Sequence, residues 1–396
     1  MDVFDQFIED HFIDANGVVY SEIDLSTRQP LRDDFFLSWG GDNTDTWGGG
    51  WGEDHFSAAE YWSYENCGMC TGAYLNSLCC ALRLPGDDKE DIRRRAKRTF
   101  DGLVYIYRIG QAWERGFFPK IWGNRLSHQT STDQMLYAMH SMHNYYPFAS
   151  AEDRKSIEEM IPAMTEFWMN RNYVLSYYHV KDMVWPPLRF PSFLMLAWKY
   201  SGEEKFRKEA LRIMDENIGR IPENSRRKRG SLYAVADAIT MDTMNHEILL
   251  DFAPVPERYR KVLLDGLRIM WEEGKATLTP DGFHPFSVPC DPVTAQPTAG
   301  PEKNGPRMAW STMVVRAGLE MARLLPDLLP EAMAAAEIVL KKLRPEEMYY
   351  FHPADAEKLP EKNRYKACFL SGDAIANRQW ALRLYQGYQQ KAGTEK

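Results

Sequence analysis

Trp113-Glu114-Arg115-Gly116-Phe117-Phe118-Pro119-Lys120-Ile121-Trp122-Gly123-Asn124-Arg125-Leu126-Ser127-His128-Gln129-Thr130-Ser131-Thr132-Asp133-Gln134 is the stretch from which the chain is best read. An aromatic, basic, glycine-interrupted loop runs into a helix start, and an amphipathic pattern follows from Met135 to Tyr146. Ser131 or Thr132 is expected to cap that helix by accepting a backbone N–H bond. Asp133 then falls in the first turn, where free N–H groups and the helix dipole favour a carboxylate. Capping is one role for it. The loop before it points to another, because a cap has no need of Trp113, Phe117, Phe118, Trp122, Lys120, Arg125 and His128. Rings that stack on sugars, with fixed polar groups for hydroxyls or a carboxylate, make a saccharide site.

Outward from this stretch the pattern is helical almost throughout. Apolar residues at three- and four-residue spacing predict helices over 2–13, 57–83, 87–111, 131–146, 151–172, 187–201, 203–218, 234–253, 256–274, 307–325, 330–343 and 371–387. Short Gly- or Pro-stopped turns alternate with long loops at 14–56, 112–130, 173–186, 219–233, 275–306 and 344–370. Short turns pair neighbouring helices as antiparallel hairpins. Six hairpins with the long loops at one end describe an all-α (α/α)6 toroid, taken as one unit over 1–396. A stacked α-solenoid would have short linkers at both ends. Residues 18–25 alternate like an edge strand or hairpin. With the Trp- and Gly-rich run that follows, 13–56 is expected to pack on the rim, as a lid, a sugar platform or a plain cap.

In a toroid the inner helices begin near 57, 131, 187, 234, 307 and 371, all on one rim. Asp133 is the first candidate for a general acid, with Glu65 as its partner carboxylate and Asp373 as the substitute. Glycoside cleavage calls for two such groups astride the bond. Each has a structural reading too: Glu65 in an inter-helix ion pair, Asp373 as an N-cap. Candidate substrate contacts on the same rim are Trp62, Asn66, Lys120, Arg125, His128, Gln134, Trp185, Arg189, Asp242, His246, Arg307, Trp310, Asp373 and Arg378. One or two of Lys120, Arg125, Arg189, Arg307 and Arg378 would hold a carboxylate, Arg being suited by its planar fork. Asp242 and His246, at i and i+4, are either an acid–base pair or a buried hydrogen-bonded couple.

The net charge of −8 argues against a nucleic-acid partner bound over a broad surface. Any anionic ligand needs a local basic cluster. The aromatic fraction of 13%, with 12 Trp, fits a large core plus a ring-lined groove. No signal peptide and no long apolar run is evident, so the expectation is a cytoplasmic chain that does not span a membrane. The six Cys are expected as free thiols. Cys67-x-x-Cys70 lies in a helical pattern without a second pair, and His140 and His143 at i, i+3 read as core. No metal or cofactor is implied. Arg226-Arg227-Lys228-Arg229 reads as a solvated turn. A homo-oligomer is left open.

Ser-x-Asp-Gln opening an inner helix after Gly-Phe-Phe-Pro resembles the six-hairpin glycosidase superfamily. Glu65-Asn66 followed by Gly68, Gly72, Tyr74 and Leu75 is similar to the first inner helix of those proteins. The nearest likeness is to the uronic-acid-acting branch, the unsaturated glucuronyl hydrolases and β-glucuronidase-like proteins. That resemblance implies cleavage at a uronic-acid residue with an aspartate as general acid. One departure stands out. Those hydrolases carry a further aspartate at the next inner helix start, where this chain has Trp185-Pro186-Pro187-Leu188-Arg189-Phe190 and only Asp182 upstream. An ordinary uronidase therefore stays open. So do a lyase using His128, His246, Asn66 and Arg189, a sugar epimerase, and a non-catalytic carbohydrate-binding toroid.

Overall fold

The computed structural model describes residues 2–37, 57–86, 88–177, 180–221, 232–276, 278, 308–358 and 361–394. Arg307, the Trp- and Gly-rich run at 38–56 and Arg226–Arg229 lie outside them.

An inner ring of helices is formed by α4 (Cys67–Arg83), α6 (Thr132–Tyr145), α8 (Pro191–Ser201), α10 (Leu232–Glu247), α12 (Met308–Leu324) and α14 (Gly372–Thr394). Packing runs from each to the next, and α14 lies against α4 to close the circle. Outside them stand α5 (Lys89–Gly110), α7 (Ala151–Asn170), α9 (Glu204–Asn217), α11 (Arg260–Lys275) and α13 (Leu329–Lys342), each the return arm of a hairpin. The sixth outer place is taken by α1 (Val3–His11), which packs on α14. This is the expected (α/α)6 toroid, and a stacked solenoid is excluded by its closure.

Two glycines set how tightly the ring closes. A Cβ on Gly72 would stand 2.7 Å from the Tyr137 carbonyl, and one on Gly68 would meet the Gln134 side chain at 2.6 Å. At Gly72, which faces backbone, only hydrogen lets α4 and α6 approach so closely, whereas the Gln134 amide at Gly68 is the end of a flexible side chain. α4, α6 and α8 are buried nearly all round, as a helix with neighbours on every side must be.

The first inner element differs from the continuous helix expected over 57–83. It is broken into α3 (Ala58–Tyr64) and α4, with Glu65 and Asn66 between them. The Asn66 backbone N–H donates to Ser21 Oγ (2.6 Å) instead of continuing the helical ladder. This interruption exposes the Glu65 carbonyl to side chains from elsewhere. Ser57 caps α3 with Glu60 in a reciprocal box.

The segment after α1 forms strand β1 (Glu22–Asp24). Two short strands, β2 (Ile121–Trp122) and β3 (Arg125–Leu126), pair antiparallel in the loop before α6. β1 pairs antiparallel with β4 (Phe369–Ser371), with Ile23 opposite Leu370. The alternation at 18–25 thus finds its partner at the far end of the chain, immediately before α14. A short helix, α2 (Asp33–Leu37), follows. Phe36, Tyr61, Trp62, Trp122, Tyr365 and Phe369 form an aromatic cluster beneath this edge.

Candidate active site

Glu65 sits at the break between α3 and α4, and Asp133 in the first turn of α6. Both are half-buried, so neither is lost in the core or stranded on the outer wall. The capping expectation fails. Ser131 precedes α6 with extended backbone but makes no side-chain capping bond. Thr132 Oγ1 instead accepts from Arg189 Nη1 at 2.7 Å. Asp133 Oδ1 takes the neighbouring Gln134 N–H (3.0 Å), one of the free donors of the first turn.

Lys120 reaches the same place from the loop before α6. Its ammonium pairs with the Glu65 carboxylate and also donates to the Glu65 carbonyl oxygen at 3.2 Å. That carbonyl accepts a second bond, from Gln134 Nε2 at 2.6 Å. Burial alone would strip Lys120 of its proton, but Glu65, then Tyr177 and Asp133, push its pKa well above the usual lysine value. It is a fixed cation.

Tyr177 completes the group from the 173–186 loop, which folds back through the pairs Val174–Val184 and Tyr177–Val180. Burial pushes its phenol well up. Asp133 and Glu65 add to this, while Lys120 and Arg189 oppose it. At neutral pH it is a hydrogen-bonding phenol and not a base. Sequence reading missed Tyr177; the period-two spacing within a segment read as plain loop was the available signal. Lys366, whose Nζ lies 5.3 Å from the Trp62 ring centroid, was missed as well, and no sequence signal marks it.

Several expected contacts are placed elsewhere. Trp62 is buried, with Phe369, Tyr365 and Tyr350 against its ring, so it backs the cup and offers no free face. Trp185 is buried against Trp168 and Tyr177 and donates to the Leu175 carbonyl, supporting Tyr177 from behind. Arg125 is exposed and forked onto Glu60. His128 is exposed, its ring edge-on to Trp113 at 4.9 Å. Asn66 is engaged through its backbone with Ser21. His246 is buried and bonds the Leu263 backbone on outer helix α11, facing the hairpin seam; Asp242 on the same helix is half-buried.

Asp373 is buried in the seam between α4 and α14 and accepts from Cys70 Sγ at 3.2 Å. At 3% exposure and bonded into that seam, it is corrected as the substitute carboxylate in favour of the half-buried Glu65 and Asp133. Arg378 is likewise corrected as a ligand contact. Its guanidinium lies 3.6 Å from the centroid of the Phe4 ring on α1. Trp310 lies in the first turn of α12.

A second polar group is buried near the far ends of the inner helices. Seven residues separate Asp133 from His140, about 10 Å along α6. His140 Nε2 lies 2.5 Å from Glu247 and Nδ1 lies 3.2 Å from Asn76 Oδ1. Arg323 pairs with Glu247, and Arg316 with Glu320 while stacking on Trp380. Among the described residues, ligand atoms of His140, Glu247 and Glu320 come within 4.8 Å of one another. Both carboxylates already carry a guanidinium, so the group has no surplus negative charge with which to hold a metal ion.

No protein-family model matches the chain, and no curated protein matches it in sequence. Solved structures match in fold. An unsaturated glucuronyl hydrolase specific for heparin is 13% identical with a TM-score of 0.56, over 98% of this chain and 96% of its own. A sugar epimerase from a ruminal bacterium is 11% identical with a TM-score of 0.55, over 98% and 96%. A family 76 mannosidase from Bacteroides thetaiotaomicron is 8% identical with a TM-score of 0.52, over 100% and 98%. The architecture is that of six-hairpin glycosidases and epimerases. One fold hosts these different reactions, so the reaction must be argued from the site.

Proposed function

We propose that the chain is a glycoside hydrolase acting on uronic-acid-containing oligosaccharides, with Asp133 as proton donor and Glu65 as second carboxylate. The observation that carries this reading is the meeting of two half-buried carboxylates around one buried cation, Lys120. Glu65 takes the direct ammonium contact. Asp133 makes no such contact among the bonds described, and on that difference the proton donor's part goes to Asp133.

Asp133 delivers that proton to the glycosidic oxygen as the bond to the anomeric carbon breaks. Water supplies hydroxide to that carbon. Its proton goes to Glu65, or Glu65 attacks first and water then displaces it while giving its proton back to Asp133; the carboxylate separation in a complex distinguishes the two. Tyr177, a phenol at neutral pH, belongs to the same group of side chains. Arg189, at the mouth of α6, is the guanidinium for a uronate carboxylate.

The test is hydrolysis of chromogenic glucuronides and unsaturated uronyl disaccharides. Asp133→Asn is expected to lower kcat by about a thousand-fold, and full retention would remove Asp133 from the reaction. Ultraviolet absorbance of a new double bond in the product would mark a lyase instead.

A further inference from the structure

Lys120 is more deeply buried than a residue that binds substrate needs to be. Its side chain is 1% exposed, against 17% for the Glu65 carboxylate it touches. The loop around it is built to fix it. The Lys120 N–H donates to the Gln129 carbonyl at 2.6 Å, the Lys120 carbonyl accepts from Ser127 Oγ, and Thr130 Oγ1 donates to the Phe118 carbonyl. A buried ammonium is costly unless it is paired and hydrogen-bonded. Glu65 contributes to that pairing twice over, through its carboxylate and its carbonyl. The charged and titratable groups facing it are Glu65 from the α3–α4 break, Asp133 from α6, Tyr177 from the 173–186 loop and Cys67 from α4. Arg189 lies beyond Tyr177.

We propose that Lys120 is a positioning residue: it takes no substrate carboxylate but holds the Glu65 carboxylate oriented beside Asp133, so that two like side chains take different parts in the reaction. This rests on the hydrolase reading above. The helix break is part of the device. A continuous helix would have used the Glu65 carbonyl in its own ladder; the interruption frees it for Lys120 and Gln134, which fix the backbone from which the carboxylate projects.

Four proteins decide the matter: wild type, Lys120→Met, Lys120→Gln, which keeps a donor but no charge, and Lys120→Arg. Each is checked by far-UV circular dichroism and a melt, then assayed across pH on a uronide that wild type cleaves. The expected result for Met and Gln is kcat down about a hundred-fold with KM within about two-fold. Loss of the neighbouring cation also moves the acidic limb of kcat up by about one pH unit. Arg is expected to restore both turnover and limb.

A rise in KM alone makes Lys120 a substrate ligand and overturns the proposal. So does a fall in kcat with an unmoved limb, which is what a merely structural lysine gives. Should neither neutral variant fold, Arg decides, a limb displaced upward overturning the proposal and a limb left in place supporting it. Wild-type inactivity on every uronide overturns the hydrolase reading and this role with it, whereas activity with the wrong Lys120 pattern overturns this role alone.

Discussion

At the scale of single residues, the cup is a balance of charges. Two carboxylates face one ammonium and one guanidinium, with Tyr177 between them. Arg189 is the member with work left to do, since the bond described for it uses one nitrogen of its fork. Arg189→Met is expected to raise KM for uronides by about ten- to a hundred-fold, the worth of a charge-assisted hydrogen bond, with a much smaller effect on the matching neutral glycoside. Steady-state kinetics on the pair of substrates checks it. The residue types were legible before any coordinates, because Glu65, Asp133, Lys120 and Arg189 are charged side chains set in apolar surroundings. Their division of labour was not. Lys120 read as a carboxylate binder because the loop gave no sign that the helix carrying Glu65 breaks where Lys120 arrives. Arg378 and Asp373 read as rim residues because they follow a helix start, yet the helix turns them into seams against α1 and α4.

At the scale of elements, periodicity served well and most boundaries held to within a few residues, since amphipathic spacing is a local property; the last helix is the exception, running to Thr394 past the expected end at 387. Tertiary contacts were harder to foresee. β1 pairs with β4 across nearly the whole chain, and a strand of three residues carries no mark of so distant a partner. Close approach of α4 and α6 gives a sharp prediction. Gly72→Ala puts a methyl against the Tyr137 backbone, which cannot move aside as a flexible side chain would. It is expected to lower stability by about 1–3 kcal/mol in denaturant unfolding. The α6 histidines give another. His143 stacks on Phe252 at 4.2 Å and bonds Tyr200 at 2.8 Å. Burial, then Lys199 and His140, pull its pKa down to about 3. A depressed folded value means stability present above the ordinary histidine range and lost as pH falls from about 6.5 toward 3. His143→Phe is therefore expected to melt below wild type at pH 7 and to close or reverse that gap by pH 5.

For the whole molecule, the sign repeats. His140 and His246 are also held below the ordinary value by burial, so all three favour the folded state least in acid. Glu247 adds to this from the carboxylate side. Burial pushes it up, but Arg323 and His140 outweigh that and hold it down, so its contribution too disappears as acid is added. Glu320 opposes them, because burial holds its carboxyl up at about 8 and its contribution grows as acid is added. Thermal melts are therefore expected to fall from pH 7 to pH 4 by less than the histidines and Glu247 alone would give, and a rise over that range would count against the buried far-end network. Closure of the ring depends on another buried group. Asp5 on α1 pairs with Arg383 on α14 at 2.7 Å and with Arg95 on α5 at 3.5 Å, and it accepts from Gln379 at 2.7 Å. Asp5→Ala leaves Arg95 its pair with Asp91 but takes the buried carboxylate away from Arg383, and it is expected to cost about 3 kcal/mol, read as an early denaturant transition.

That seam sets an order of events during biosynthesis. Its two halves are the earliest and the latest of the ring helices to leave the ribosome, so α1 must wait, with Phe4 and Asp5 uncovered, until α14 is translated. Five hairpins can form as they emerge, but the circle is completed only when α14 docks on α1 and α4. A nascent chain stalled before residue 372 is expected to be an open arc, protease-sensitive at its first helix, and a ready client for chaperones.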